Sequence, residues 1–174
     1  MLTGFRVLII GGDARMLEVI RELADRDAAV TLIGYDSLQD VPEGAAKAGL
    51  APEAFDGADA VVLPPVGTDE KGRVESIFTD RELVLAEQHI ERMPKHAKIY
   101  AGMANARLLD LCSRHGIEVV RLFELDEVAI YNSIPTAEGA LMLAIQNTDI
   151  TIHGSRVLVL GFGRTGMTLA RLLA

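Results

Sequence analysis

Apolar residues along the chain fall into short, unbroken runs separated by stretches with helical spacing. Phe5-Arg6-Val7-Leu8-Ile9-Ile10 is such a run, closed by Gly11-Gly12, and it predicts a strand buried on both faces. From Ala14 to Leu23 the apolar positions Met16, Leu17, Ile20 and Leu23 follow a helical period. Ala29–Ile33 predicts a second strand, ending at Gly34. Asp59–Leu63 predicts a third, stopped by Pro64-Pro65, which cannot continue a central strand. Residues 66–78 read as a loop and Asp80–Arg92 as a helix ending before Pro94. Lys98–Ala101 predicts a fourth strand, Ala104–Arg114 a helix stopped at His115-Gly116, and Ile117–Arg121 a fifth strand.

Strands and helices that alternate with connections too long for hairpins predict an α/β fold. The expected architecture is a flavodoxin-like doubly wound parallel sheet, strand order 2-1-3-4-5, over residues 1–130. The pattern changes after residue 122. Glu124–Tyr131 is mixed and polar, with a short helix as one reading. A helix is predicted from about Pro135 to Asn147, with proline in its first turn. Its middle, Gly139–Ile145, is apolar on every side, so burial all round is expected, in a domain seam or between protomers. Residues 131–153 thus read as an interdomain helix and linker.

Arg156–Leu160 reads as another buried strand, followed directly by Gly161-Phe162-Gly163-Arg164-Thr165-Gly166 and the start of a helix at Met167. This is the dinucleotide fingerprint in its strand–loop–helix setting. The first glycine permits the tight turn, the second lets backbone approach a pyrophosphate, and the third lets helix and strand pack closely. An ordinary tight turn is the plainer reading. Residues 154–174 are therefore expected to begin a truncated Rossmann domain binding NADP or NAD through residues 161–166. One strand and one helix cannot bury their own apolar faces. The segment is expected to dock on the first domain or to pair with another copy of the chain.

Charge sharpens this reading. The chain carries −8, which argues against nucleic acid as the main partner. Residues 154–174, by contrast, hold Arg156, Arg164 and Arg171 and no acid, as suits an anionic ligand at the glycine loop. No apolar run approaches the roughly 18–20 residues of a membrane helix, and no secretory signal pattern opens the chain, so a cytoplasmic protein is expected. The single cysteine, Cys112, excludes an internal disulfide. It reads as a small buried apolar residue, and the four histidines lack metal-ligand spacing, so no metal is expected.

Candidate ligand groups lie where strands end. Gly12, Asp13 and Arg15 follow the first strand. Asp13 could cap the next helix. Arg15 opposes the helix dipole in the first turn and needs a partner, either Glu18 or a substrate carboxylate. Gly102, Met103 and Asn105 follow the fourth strand, where Asn105 could bind a carboxylate or simply start the next helix. Asn132, Ser133, Thr136 and Glu138 cluster at the expected start of the apolar helix. Ser133 could cap it, and Glu138, if desolvated in a cleft, could act as general acid or base.

Taken together, Gly11–Arg15, Ala129–Gly139, Thr151–Ser155 and Gly161–Met167 resemble the family of dipicolinate synthase A subunits, along the whole chain from Met1. The resemblance implies an oxidoreductase of spore-forming bacteria. Such an enzyme oxidises a dihydro- or hydroxytetrahydro-dipicolinate precursor to dipicolinate with a nicotinamide cofactor. It implies a small dicarboxylate substrate and the flavoprotein-like B subunit of dipicolinate synthase as partner; a homo-oligomer is expected besides. Family members are longer, so the chain is expected to be a piece cut inside the nucleotide domain and inactive alone. Two other readings stand beside the enzyme: a non-catalytic module that docks the B subunit, and a regulatory flavodoxin-like domain that binds a small anion.

Overall fold

The computed structural model describes all 174 residues, Met1–Ala174, in two compact units, Met1–Leu122 and Phe123–Ala174. The first unit is built on a parallel sheet of six strands. Strand β1 (Arg6–Ile10) leads through Gly11-Gly12 into helix α1 (Arg15–Ala24), and the chain returns as β2 (Ala29–Ile33). Next come β3 (Ala45–Ala48), a 3₁₀ turn at Pro52–Phe55, and β4 (Ala60–Val62). A short antiparallel hairpin of β5 (Arg73–Val74) and β6 (Leu83–Val84) precedes α2 (Glu87–Ile90), β7 (Lys98–Ala101), α3 (Ala106–Arg114) and β8 (Glu118–Arg121). The order across the sheet is β3-β2-β1-β4-β7-β8.

The five expected strands thus stand in the order 2-1-3-4-5, and β3 adds an edge that the residue pattern did not reveal. Ala45-Ala46-Lys47-Ala48 has neither branched side chains nor alternation. It is a strand because its backbone bonds to β2, and its residues stay half-buried or exposed.

Alternation along each central strand feeds two cores, one on each face of the sheet. From β1, Val7 and Ile9 join Met16 and Ile20 of α1 on one face. Leu8 and Ile10 join Phe55, Ile99, Leu108 and Cys112 on the other. Burial pushes the Cys112 thiol up to about 11, so it packs as an apolar group. α3 ends at Gly116, whose positive φ lets the Ile117 N–H return to the Cys112 carbonyl at 2.9 Å.

Two expectations fail in the span between β4 and β7. The stretch read as a loop carries β5, and Ser76 makes a parallel bridge with Gly12. The helix expected over Asp80–Arg92 is β6 followed by the four-residue α2. Leu83 and Leu85, two apart, both point into the core beside Val74. That two-residue spacing prevails over the helical period because it closes the hairpin against the sheet.

The second unit holds α4 (Asp126–Gln146) and α5 (Arg164–Leu173). α4 starts nine residues earlier than expected and encloses Pro135 instead of beginning there. Proline removes only its own N–H, so the Tyr131 carbonyl loses its helical donor while the helix continues. α4 is not buried all round: within the unit only Ser133 and Ala137 are buried, while Ile134, Met142, Leu143 and Ile145 are exposed. By length and composition, its 21 residues with hydropathy 1.3 could cross a membrane, although polar residues interrupt the apolar ones. The strand expected over Arg156–Leu160 does not form, and Leu158 and Leu160 lie exposed. With no neighbouring strand, its N–H and C=O groups would have no partners. α5 packs against α4, where Thr168 meets Ser133 at 2.8 Å.

Candidate functional site

The C-terminal ends of β1 and β4 open on a cleft of about 710 Å³ in the first unit. Such an edge is where open parallel sheets take ligands. Its floor is made of closely packed backbone. Gly11 has φ +63°, and a Cβ there would lie 2.5 Å from the Glu75 carbonyl oxygen. Gly12 donates to that oxygen at 2.7 Å and accepts from the Ile77 N–H at 3.0 Å. Both polar groups of Gly12 are therefore committed to the segment crossing over it. Tyr35 fixes the turn by donating to the Gly11 carbonyl at 2.7 Å, and burial raises its hydroxyl pKa. Ser76 donates to Gly34 at 2.7 Å, and Phe78 stacks on Tyr35.

Asp13 and Arg15 line this cleft and hold each other. Asp13 Oδ1 accepts the Arg15 N–H and Nε, each at 3.0 Å, and Oδ2 accepts Nη2 at 2.7 Å. The partner that Arg15 needs is thus Asp13, while Glu18 pairs with Arg21. Hydrogen bonds from Arg15 hold the Asp13 carboxyl below its ordinary value. The Arg15 Nη1 edge is left for a ligand. Pro64, Pro65, Val66 and Ile77 give the cleft an apolar wall, and Val66 and Ile77 are exposed there.

Asn105 has a supporting place instead. Its Oδ1 caps α3 by accepting the Leu108 N–H at 2.9 Å. Its amide donates to the carbonyls of Thr68 at 2.8 Å and Asp69 at 2.9 Å. Gly102 is buried, and the Met103 N–H donates to the Pro65 carbonyl at 2.8 Å. Gly102, Met103 and Asn105 therefore brace the Pro64–Asp69 loop from behind and do not line the cleft.

In the second unit the glycine loop leads into α5. Gly161 has φ +97°, the turn that favours glycine. A Cβ on Gly166 would lie 2.1 Å from the Gly161 carbonyl oxygen, so a side chain there would break the loop. Around Gly163 nothing lies within 4 Å of a would-be Cβ, which leaves open space at the head of α5. The first N–H groups of that helix point into the opening with the positive end of its dipole. Phe162 is exposed, and Arg164 pairs with Asp126 at 2.7 Å. Backbone of this shape suits a diphosphate, through the N–H groups of Arg164, Thr165 and Gly166.

The α4 residues are less organised for binding. Ser133 is buried, its hydroxyl donating to the Ile130 carbonyl at 2.6 Å. It lies inside the helix, so it is not a cap. Thr136 donates to the Asn132 carbonyl at 2.7 Å. Asn132 and Glu138 are exposed. Glu138 lies deep within α4, far from its positive end, and the desolvation expected for it is absent in this unit. Elsewhere Glu87, Glu91 and His115 offer three possible metal ligands within 4.8 Å of one another. The Arg114 guanidinium already sits 2.7 Å from Glu87, against any added cation.

The family model for the N-terminal domain of the dipicolinate synthase A subunit matches residues 6–123. The chain belongs to that family. The A subunit of dipicolinate synthase from Bacillus subtilis (strain 168) is 48% identical over 174 residues, which is all of this chain and 59% of that protein. The crystal structure of the A subunit from Bacillus halodurans matches with a TM-score of 0.95 at 47% identity, over 99% of this chain and 59% of that one. The crystal structure of the Bacillus subtilis protein matches with a TM-score of 0.92, also at 47% identity, over 99% and 58%. The chain thus spans about three-fifths of the length of these relatives.

Sequence reasoning missed Asp69, Arg73, Ser76 and Glu82, which also belong to the cleft. One signal was present. Asp69-Glu70-Lys71-Gly72-Arg73 is a turn-forming sequence, and the Asp69 carboxylate accepts the N–H groups of Lys71 at 2.7 Å and Arg73 at 2.8 Å. Nothing local, however, shows that this turn lies over the end of β1.

Proposed function

We propose that this chain carries the substrate-side domain and the opening of the nucleotide domain of a dipicolinate synthase A subunit. The reaction is the oxidation of a dihydro- or hydroxytetrahydro-dipicolinate precursor to dipicolinate, using NADP or NAD. The observation that carries this reading is the fitted glycine loop, Gly161, Gly163 and Gly166, in a chain of this family. A nicotinamide held at the glycine loop would supply the hydride acceptor. The dihydropyridine ring also loses a proton as it becomes aromatic, and a hydroxytetrahydro precursor must first lose water. Aromatisation drives the hydride loss.

The chain's own groups have separate parts in this scheme. Arg15 meets a substrate carboxylate with its Nη1 edge while Asp13 keeps the guanidinium from turning away. Pro64, Pro65, Val66 and Ile77 supply an apolar surface for the ring and exclude water from it. Gly12 shapes the floor, and Gly102, Met103 and Asn105 hold the neighbouring loop. The N–H groups at the head of α5 would hold the diphosphate of such a cofactor, with Phe162 and Arg164 nearby on the loop. The family's A subunit implies a B subunit as partner, and we place the assembly in the cytoplasm of a spore-forming cell.

The direct test is nicotinamide nucleotide binding by the protein at the full length of its relatives. Gly163→Val puts a branched side chain where the diphosphate must lie, and affinity should fall by at least about 100-fold. Fluorescence titration of NADPH and NADH reads this directly. Unchanged affinity for both would remove the cofactor assignment.

A further inference from the structure

The cleft contains a second anchored guanidinium, on β5, which no part of the proposed reaction has yet used. The Arg73 N–H donates to Asp69 Oδ1 at 2.8 Å, and the Arg73 carbonyl accepts the Asp69 N–H at 2.9 Å. Asp69 is in turn tied down through its carbonyl by Asn105 at 2.9 Å. The Arg73 side chain is turned by Glu82 across the hairpin, with Nε 2.5 Å from Oε1. A guanidinium has five N–H donors in a rigid plane, more than one carboxylate can accept, so Arg73 keeps donors beyond its Glu82 contact. Arg15 is similarly held by one carboxylate, with Nη1 left over. Both arginines line one cleft, and both are partly exposed.

We propose that Arg15 and Arg73 form a two-point clamp that selects a flat ring bearing two carboxylates over a ring bearing one. This inference rests on the substrate reading above and adds the residue that sets its specificity. The remaining charges in the cleft explain why two points are needed. Arg81 is only loosely paired with Asp36, 3.4 Å away, so it presents no fixed edge, and Glu75 and Asp80 place further negative charge in the lining. Acidic groups thus outnumber basic ones in the lining, and the anchored guanidinium edges are the fixed points that attract an anion. One carboxylate engages a single edge against that background, whereas two engage both without a second loss of translational freedom. Asn105 acts here as a positioning residue, through Asp69.

Calorimetric titration of the protein with pyridine-2,6-dicarboxylate and pyridine-2-carboxylate, without nucleotide, tests the clamp. The wild-type protein should prefer the dicarboxylate by about tenfold, the scale of one further charge-assisted contact. Arg73→Gln and Arg15→Gln should each bring that ratio close to one, and Arg73→Lys should retain part of it. Arg81→Gln, which removes the same charge from the cleft but no clamp contact, should leave the ratio unchanged. Thermal melting confirms that each variant is folded. Equal wild-type affinities, no binding of either compound, a tenfold ratio persisting in Arg73→Gln, or its loss in Arg81→Gln would each overturn the clamp. Because nucleotide is absent, these outcomes do not depend on the glycine loop. Failure of NADP binding alone would leave the clamp intact.

Discussion

The two units differ in how much apolar surface they cover within this chain. The first wraps a parallel sheet in two cores, with Ile9, Ile10, Phe55, Val61 and Ile99 wholly buried. The second has two helices, and Leu158, Leu160, Met142 and Leu143 remain exposed. Residues of the same type, in equally apolar runs, therefore have different fates. The difference lies in the neighbours. β1 has β2 and β4 to take its hydrogen bonds, whereas residues 156–160 have no strand beside them. Periodicity shows which surface a segment offers, and the partner decides whether it is covered.

The largest effect separating the two units should come from removing one apolar side chain in each. Phe55→Ala should destabilise the first unit by about 3–5 kcal/mol, because a fully buried ring leaves a cavity. Leu160→Ser in this chain should change stability by less than about 0.5 kcal/mol, as expected for an exposed position. Urea unfolding of both variants reads the contrast. Equal losses would show that residues 156–160 are packed in solution.

A smaller effect should follow pH. His89 is buried beside Phe55, its Nδ1 accepts the Ala86 N–H at 3.0 Å, and its Nε2 has no partner. Desolvation lowers its pKa from the ordinary 6.5. The folded protein binds the proton less readily than the unfolded chain, so the stability due to neutral His89 is present above 6.5. It is lost as pH falls through 6.5 toward the lowered folded value, by at most about 1.4 kcal/mol per pH unit. His89→Asn keeps an acceptor for Ala86 and should flatten that slope between about pH 7 and 5. An unchanged slope would mean that His89 is not its source.

The smallest effect belongs to the hydroxyl pair of the second unit. Ser133→Ala removes a hydrogen bond to Thr168 and should weaken α4–α5 packing by about 1 kcal/mol, read as earlier loss of helical signal on heating. No change would place the stability of that helix pair in its apolar contacts alone.

Part of the candidate site could be read along the chain, but only where one segment carried the whole meaning. Gly161, Gly163 and Gly166 are such a case, since their spacing sets both the turn and the open approach. Asp13 and Arg15 are two residues apart and find each other locally. Arg73 was invisible for the opposite reason. It enters the cleft through a hairpin laid over Gly12, a meeting of segments far apart in the chain. Asn105 was correctly placed after a strand, yet its amide works on the loop at Thr68 and Asp69.

Short apolar runs and glycine stops in the sequence alone determined the five main strands and the parallel α/β class, while their order followed from the doubly wound class and not from any residue. They did so because each central strand carries its own two-sided apolar record, which needs no partner to be recognised. Tertiary structure decided the edge strand β3, the β5–β6 hairpin and the unformed strand at residues 156–160. In each of these the deciding quantity is a set of backbone hydrogen bonds made or missed between distant segments, and no local pattern of side chains encodes it.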